Sequence, residues 1–451
     1  MTTPTIDWQA AFEAWLAPVL ARLGRVEQRR WAPVYLQGLL GPGERKSVEP
    51  KAARVAPRDV QRLHHFISTS PWRCEPLEEE PGRERPTGWW VVRTPCWWST
   101  VSREANALVK QGRPSVGVAR QSCGQLGKTA NGQALVSLTL ARREVPVGVG
   151  LRLDLPQAWA EDPARRARAG GPEALPGRPK WQIALEELDR VRAAGARFGA
   201  VLADADYGKV AEFRQALSEQ GLSWAVGILP LQTVYPAEVV VAPAPVPATG
   251  RRPKHPVPSV RSRSAQTVIA DLPDESWRTL SWRRGTKGDL TADFAALRVR
   301  VAEGPVIARN RRLPGDVAWL VCERRATGER KYTLSNLPED APLERIAALI
   351  KGRWVCEQRP HQMKEELGLD HFEGRSWRGL HHHALLTMIA FAFLQHLRLG
   401  GKNHDQPGAA AQPLPAAGAP PARGHPQRLR PALSALPPAR ALSPPAMKVA
   451  K

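Results

Sequence analysis

The segment VLADADYG, residues 201–208, joins a short apolar run to two aspartates, a tyrosine and a glycine. The run 200–203 predicts a buried strand that ends at Asp204, where a carboxylate is well placed to bind a hard cation through oxygen. Asp206 points to the same side if the strand continues. Taken alone, the segment also fits aspartates that only form a turn or cap a helix.

The sequence on both sides of this segment alternates between helix and strand patterns. Apolar Ile183, Leu188 and Val191 recur at helical spacing and predict one face of an amphipathic helix. The predicted elements are paired strands at 134–141 and 145–153, a helix at 179–195, the strand ending at Asp204, a helix at 209–221 and a strand at 223–229. Alternation of this kind predicts an α/β fold.

The charge balance points to a polyanionic partner. The 451 residues include 65 Lys and Arg against 43 Asp and Glu, a formal net charge of +22. A surplus of this size is usually matched by nucleic acid. A membrane surface is the weaker alternative, because the chain shows no basic amphipathic helix and no apolar run of about 18 residues. The N-terminus lacks the pattern of a secretory signal, so we expect a cytoplasmic protein.

Changes in composition and pattern divide the chain into six regions. The α/β pattern covers residues 107–229, and its C-terminal helices cover residues 341–400. Residues 230–340, with a Pro-rich start and short strands, interrupt this pattern. The six are a basic helical N-terminal domain (1–72), an anomalous segment rich in Trp pairs (73–106), the first part of the core (107–229), a β-rich insertion (230–340), the C-terminal core helices (341–400) and a Pro/Ala/Arg-rich tail expected to be disordered (401–451).

A second group of charged residues lies in RWVCEQRPHQMKEELGLD. Arg353, Glu357 and Lys364 are spaced by four and seven residues, which places them on nearly one face of a helix. A glutamate flanked by two cations suits a phosphodiester site, where Glu357 binds metal and Arg353 and Lys364 contact phosphates. An Arg–Glu pair on a solvated helix face is the alternative.

These segments, in this order, resemble the DDE transposases of bacterial insertion sequences. The cut-and-paste type, with a β-rich insertion inside an RNase H-like core, is the most similar. Arg-x3-Glu-x6-Lys follows a strand ending in Asp and a long insertion, and ERKSVEPKAARV (44–55) and EELGLDHFEGRSWRGL (365–380) also match. The resemblance covers about residues 8–72 and 107–400. It implies an RNase H-like α/β core, split by the insertion and preceded by a helical domain.

The resemblance implies a DNA transposase, a DDE superfamily endonuclease that cleaves transposon ends and transfers strands with Mg²⁺ or Mn²⁺. Asp204 is then the second acid and Glu357 the third, both as catalytic metal ligands, with Arg353 and Lys364 as phosphate contacts. Asp206 has no assigned role in the motif, and Ile350 stands where the family has a phosphate-binding tyrosine. The implied partner is double-stranded DNA, as transposon ends and target, and synapsis requires at least a dimer.

The first acid departs from the family pattern. The family has an apolar strand ending Asp-Asp-Thr just before a segment like ALVKQGRPSVGVARQ, which is intact here at 107–121. Glu104 and Ala105 stand at the expected positions, and nothing before them resembles a buried strand. When the codons for TPCWWST (94–100) are read one nucleotide earlier, they spell an apolar strand ending in Asp. We therefore hypothesise that residues 73–106 are frameshifted, by gene decay or a sequencing error, which nucleotide sequencing tests.

Two alternatives to the active transposase stay open. A catalytically dead remnant would still bind transposon ends, and a generic RNase H-like nuclease would cleave without strand transfer. Pro360, inside the predicted catalytic helix, also points to frame disruption, because its ring should clash with the Cys356 carbonyl at a cost of about 3 kcal/mol. His381, His382 and His383 point in different directions on a helix, which predicts a polar or DNA-facing role rather than a metal site.

Overall fold

The protein is described here from a computed structural model. The structure describes residues 8–79, 98–102, 108–123, 126–142, 145–173, 175–244, 255–285, 288–308 and 311–404. The predicted tail at 401–451 and Glu104 therefore lie largely or wholly outside the described residues. Within those ranges, no helix combines the length and apolar character needed to cross a lipid bilayer.

The N-terminal part is helical, as its apolar spacing predicts. The first helix buries Phe12, Leu16 and Val19, and the second buries Trp31 and Tyr35. These helices pack together and against the long helix near the C-terminus, so they share its core. The helices are α1 (Trp8–Ala21), α2 (Val26–Leu40), α3 (Val48–Val55), α4 (Val60–Ser68) and α5 (Glu75–Glu79).

One large mixed sheet forms the centre of the molecule. Its strands in chain order are β1 (Trp98–Ser102), β2 (Leu108–Val109), β3 (Ala119–Cys123), β4 (Lys128–Arg142), β5 (Val145–Asp154), β6 (Val201–Ala203), β7 (Trp224–Ile228), β8 (Thr233–Pro236), β11 (Arg263–Ser264), β12 (Arg278–Gly285), β13 (Gly288–Val301), β16 (Val317–Arg324) and β17 (Arg330–Ser335). Two short hairpins lie outside it: β9 (Val241–Ala242) with β10 (Val257–Pro258), and β14 (Val306–Ala308) with β15 (Arg311–Arg312).

Five neighbouring strands in the order β5-β4-β1-β6-β7 position the candidate site. The predicted pair β4 and β5 is antiparallel, whereas β1, β6 and β7 run parallel to one another. All three residues of β6 are buried, which explains why this strand is a continuous apolar run rather than an alternating one. The predicted α/β class is therefore confirmed.

Helices cover this part of the sheet. Ile183, Leu188 and Val191 of α8 are buried as the periodicity predicts, and α12 packs across β5, β4, β1, β6 and β7. The remaining helices are α6 (Gln157–Ala160), α7 (Pro163–Arg168), α8 (Lys180–Ala193), α9 (Ala205–Gly208), α10 (Ala211–Glu219), α11 (Ala265–Ala270), α12 (Leu343–Glu365) and α13 (Trp377–His404). Pro360 lies within the last two turns of α12.

The segment between β7 and α12 is β-rich, and its strands extend the core sheet. β17 pairs antiparallel with β7, and β16, β13 and β8 continue outward from it. The N-terminal half of α12 packs on this extension through Phe294, Val321 and Ile346. The helix α12, which carries the predicted site residues, thus packs partly on the core strands and partly on the β-rich segment that precedes it in sequence.

Two elements form in the region 73–106, where sequence patterns predict none. α5 is anchored by Glu78, which is 4% exposed and bonds Arg152 of β5 at 2.7 Å, while Arg152 also contacts Glu187 of α8 at 2.8 Å. β1 inserts between β4 and β6, with Val101 opposite Ala203. Residues 80–97 and 103–107 between and after these elements lie outside the described residues.

Candidate active site

Asp204 follows β6 directly and caps the helical turn α9. Its Oδ1 accepts backbone N–H bonds from Asp206 at 2.9 Å and Tyr207 at 3.3 Å. A carboxylate that receives two backbone donors is held in one orientation, since moving it would leave those donors unpaired. The strand therefore places Asp204 at its C-terminal end, as the sequence predicts, and the turn fixes where its carboxylate lies.

Burial dominates the electrostatics of Asp204. Desolvation raises the pKa of its carboxyl above the ordinary value, and the charge of Asp206 adds to that rise. Arg353 and the two backbone N–H bonds act in the opposite direction and favour the carboxylate. A half-buried acid at a strand end that feels the charge of an arginine on another element is common at functional sites, because the cation offsets part of the cost that burial imposes on the carboxylate.

Arg353 and Glu357 form an ion pair one turn apart on α12. Their side chains are 28% and 35% exposed, so both reach the surface of the site. α12 packs against β6, and the charge of Arg353 acts on Asp204. The structure therefore places the charge of Arg353 within reach of Asp204, 149 positions earlier in the sequence (353 − 204), and Glu357 is linked to them through its pair with Arg353.

Lys364 lies apart from these three residues. It follows Glu357 by about 10 Å along the axis of α12, is 6% exposed, and lies near Asp370 and Cys123. Burial lowers the pKa of its ammonium, while Asp370 raises it. Its role as a phosphate contact stays a prediction. Lys364 lies in the last turn of α12, near its C-terminal end.

The strand does not continue as far as Asp206. β6 ends at Ala203, and Asp206 lies in the turn α9, where its carboxylate pairs with Lys209 at 2.8 Å. It therefore does not repeat the position of Asp204, because a helical turn does not preserve the two-residue alternation of a strand. Glu104 lies outside the described residues, so the structure says nothing of its position.

The donor set suits a hard divalent cation only in part. Asp204 and Glu357 offer carboxylate oxygens, the donors that Mg²⁺ and Mn²⁺ prefer. Within the described ranges, however, no three His, Cys, Asp or Glu side chains converge as a metal-binding group. The described residues therefore offer two candidate acidic ligands, Asp204 and Glu357.

Two of the three consecutive histidines, His382 and His383, belong to the packed interior rather than to a DNA-facing surface. His382 and His383 are 1% and 0% exposed, and burial lowers the pKa of His382 to about 4. His383 Nδ1 lies 2.8 Å from the Tyr35 hydroxyl, and its Nε2 lies 2.9 Å from the Gly368 carbonyl oxygen. The DNA-facing alternative is wrong for these two residues, because their ring nitrogens are used to join α13 to the N-terminal helices.

The charge pattern did not reveal one buried cation of α12. Arg359 is fully buried, its guanidinium packs against Gly148 of β5, and its three nitrogens have no hydrogen-bond partner among the described residues. Burial lowers its pKa to about 10. No sequence signal marks it, since the adjacent Glu357 suggests an ordinary solvated helix face. Only the packing of α12 on β5 identifies Arg359 as a buried charge.

Comparisons with known proteins agree with the resemblance inferred from the motifs. A family model described as "DDE superfamily endonuclease" matches residues 18–289, which is more than half of the chain. The matched range contains Asp204 and ends before α12.

Two individual proteins are similar to the chain. The "Probable transposase for insertion sequence element IS701" of Microchaete diplosiphon is 24% identical over 379 residues, covering 82% of each chain. A solved structure, the cryo-EM "piggyBac transposase synaptic complex with hairpin DNA", is 9% identical with a TM-score of 0.44, over 86% of this chain and 69% of the other.

Proposed function

This chain belongs to the family of DDE superfamily endonucleases, and we propose that it is the transposase of an insertion sequence that cleaves transposon ends and transfers strands. The observation that supports this most directly is that Arg353, which pairs with Glu357 on α12, acts electrostatically on Asp204 after β6. The similar transposase adds support, since its name describes a protein of this kind.

The fold that we infer for the catalytic part is RNase H-like. Three parallel strands, β1, β6 and β7, stand beside the antiparallel pair β4 and β5, with helices joining the parallel strands. Asp204 directly follows the middle parallel strand, and Ser102, the last residue of β1, is next in register to it, since Val101 is opposite Ala203. This pairing supports an RNase H-like arrangement in which the family's first acid would stand near the end of β1.

In the proposed reaction, Asp204 and Glu357 would hold Mg²⁺ or Mn²⁺, which when bound activates a water or a DNA 3′-hydroxyl and stabilises charge on the phosphate. Arg353 binds a non-bridging phosphate oxygen through its guanidinium, which is suited to phosphate geometry. To do so it exchanges its contact with Glu357 for the phosphate, which leaves Glu357 free to act as a ligand. The positive charge of the chain favours the approach of DNA.

A second candidate function is a DNA-binding remnant that does not cleave. The observation that favours it is the shortage of acidic ligands among the described residues. The frame hypothesis for residues 73–106 leads to the same candidate, because an aspartate in the other frame would be lost from the protein. Nucleotide sequencing across codons 73–107 tests that hypothesis directly.

One assay separates these candidates. Purified protein is incubated with DNA carrying transposon ends and Mg²⁺ or Mn²⁺, and cleavage, strand transfer and binding are measured together. We expect cleavage that Asp204→Ala abolishes and that the matched variant Asp206→Ala retains. Binding without cleavage by the unaltered chain would instead support the remnant, and cleavage without joined products would support a nuclease that does not transfer strands.

A further inference from the structure

The turn that presents Asp204 is enclosed by backbone on one side. A Cβ placed on Gly208 would overlap the carbonyl oxygen of Gly227 in β7, and one placed on Gly227 would lie 3.0 Å from the backbone nitrogen of Ala205. Residue 208 therefore has to be glycine for α9 to lie this close to β7, and a side chain at residue 227 would be tightly packed against the turn. The amide of Gly208 also bonds the Asp204 carbonyl at 2.9 Å.

The other side of the turn is held by a buried arginine. Arg214 of α10 is 1% exposed, and its guanidinium donates to the Gly208 carbonyl oxygen and to the carboxylate of Glu303. A second Arg214–Glu303 bond, from Nε to Oε2, measures 3.2 Å. The guanidinium thus links Gly208, the last residue of the Asp204 turn, to Glu303, which lies 89 positions after Arg214.

Glu303 belongs to the β-rich segment rather than to the core strands. It follows β13, is 8% exposed, and its backbone nitrogen bonds the Val301 carbonyl at 2.9 Å. Gly315 packs on its side chain, and Gln215 of α10 bonds its carbonyl at 3.5 Å. The acid is therefore fixed by its own strand connection, and it in turn fixes the direction in which Arg214 points.

We propose that Arg214 and Glu303 are positioning residues for Asp204. They lock the carbonyl of Gly208 and so keep the Asp206 and Tyr207 amides aimed at the Asp204 carboxylate. Through this contact the β-rich segment sets the position of a metal-ligating acid on the core sheet. The inference rests on the proposed function only where metal binding is concerned, since the geometry of the turn is a property of the protein alone.

The proposal can be tested on the Arg214–Glu303 ion pair, with the Arg152–Glu78 ion pair as a control. Arg214→Lys and Glu303→Gln alter the proposed link, whereas Arg152→Lys alters the pair that joins β5 to Glu78 of α5, in which the arginine side chain is 24% exposed rather than 1%. Urea unfolding of each variant first shows that it folds and how much stability it has lost. Hydrogen exchange of the 201–210 segment and Mn²⁺ binding by electron paramagnetic resonance are then measured on the full chain.

We expect Arg214→Lys and Glu303→Gln to speed exchange of the Asp206, Tyr207 and Gly208 amides, while Arg152→Lys leaves that exchange unchanged. Mn²⁺ affinity should fall about 10-fold in the first two variants, as is typical when a partner of a ligating carboxylate is lost. Equal acceleration in all three variants, or none in Arg214→Lys, would overturn the proposal. If the unaltered chain binds no Mn²⁺, the proposed function fails, while the exchange data still test the positioning role.

Discussion

Asp204 and Glu357 are the two acids that the sequence predicts as metal ligands, and the protein holds them differently. Asp204 sits on a turn clamped between Gly227 and Arg214 and receives two backbone N–H bonds. Glu357 projects from a helix, is 35% exposed, and pairs with the partly exposed Arg353. The difference indicates that the fold fixes the carboxylate of Asp204, whereas that of Glu357 lies in a solvent-accessible ion pair.

The closest packing around Asp204 is the contact of α9 with β7, and a substitution there should cause the largest loss of stability. Gly208→Ala should destabilise the fold by about 3 kcal/mol, because the new methyl group meets a backbone carbonyl that cannot move aside. Urea unfolding measures this loss. Gly24→Ala is the control, since a Cβ there meets nothing within 4 Å. A Gly208→Ala stability equal to that of the control would show that the turn is not clamped.

The helix that carries Glu357 should instead gain stability from one substitution. Arg359→Met should stabilise the protein by about 2 kcal/mol, because it replaces a buried charge that lacks a described hydrogen-bond partner with an apolar side chain of similar length. The same change at Arg152, whose guanidinium pairs with Glu78 and Glu187, should cost about 3 kcal/mol. A loss of stability in Arg359→Met would mean that its charge is satisfied after all.

The pH dependence of stability tests the burial of Asp204. Because its pKa is raised in the folded state, ionisation of Asp204 costs stability above that pKa, and the cost disappears below the ordinary value of 3.8. Asp204→Asn, which still accepts the two N–H bonds, should therefore be more stable than the unaltered chain at pH 7. This gain should shrink as the pH falls towards 3.8. A difference that is constant from pH 7 to pH 4 would contradict the assigned cause.

Glu357 should give the smallest change. Glu357→Gln removes a partly exposed ion pair, and such pairs contribute little, so stability should stay within about 0.5 kcal/mol of the unaltered protein. Denaturant unfolding at low and high salt measures it. A much larger loss would show that the Arg353–Glu357 pair is as structurally fixed as the Asp204 turn, and the contrast between the two acids would then fail.

Local patterns predicted the elements around Asp204 well. The helix face with Ile183, Leu188 and Val191 is buried, the strand before Asp204 is apolar and internal, and the two strands before and after residues 142–145 pair. These elements are predictable because helical and strand periodicity reflect which side of each element faces the core. The end of β6 was harder to predict. Whether residues 204–206 form a strand or a turn depends on how closely their backbone packs against Gly227 of β7.

Burial of individual charges could not be predicted. Arg214, Arg359 and Glu78 look like ordinary surface residues in the sequence, yet all three are buried in the structure. The strand β1 was also missed, because its residues carry no apolar pattern and it is defined by its pairing with β4 and β6. Interactions that join distant segments leave no periodic signal along the chain.

The sequence by itself determined the α/β class, the basic character and the acids that match the DDE motif, because these depend on residue type and on spacing within one segment. The tertiary structure decided that the charge of Arg353 acts on Asp204, that Lys364 lies further along α12, and that Glu303 is linked to the turn of Asp204 through Arg214. The physical reason is that sheet pairing and helix packing bring together groups more than 80 residues apart, and only their mutual burial fixes the geometry on which the site depends.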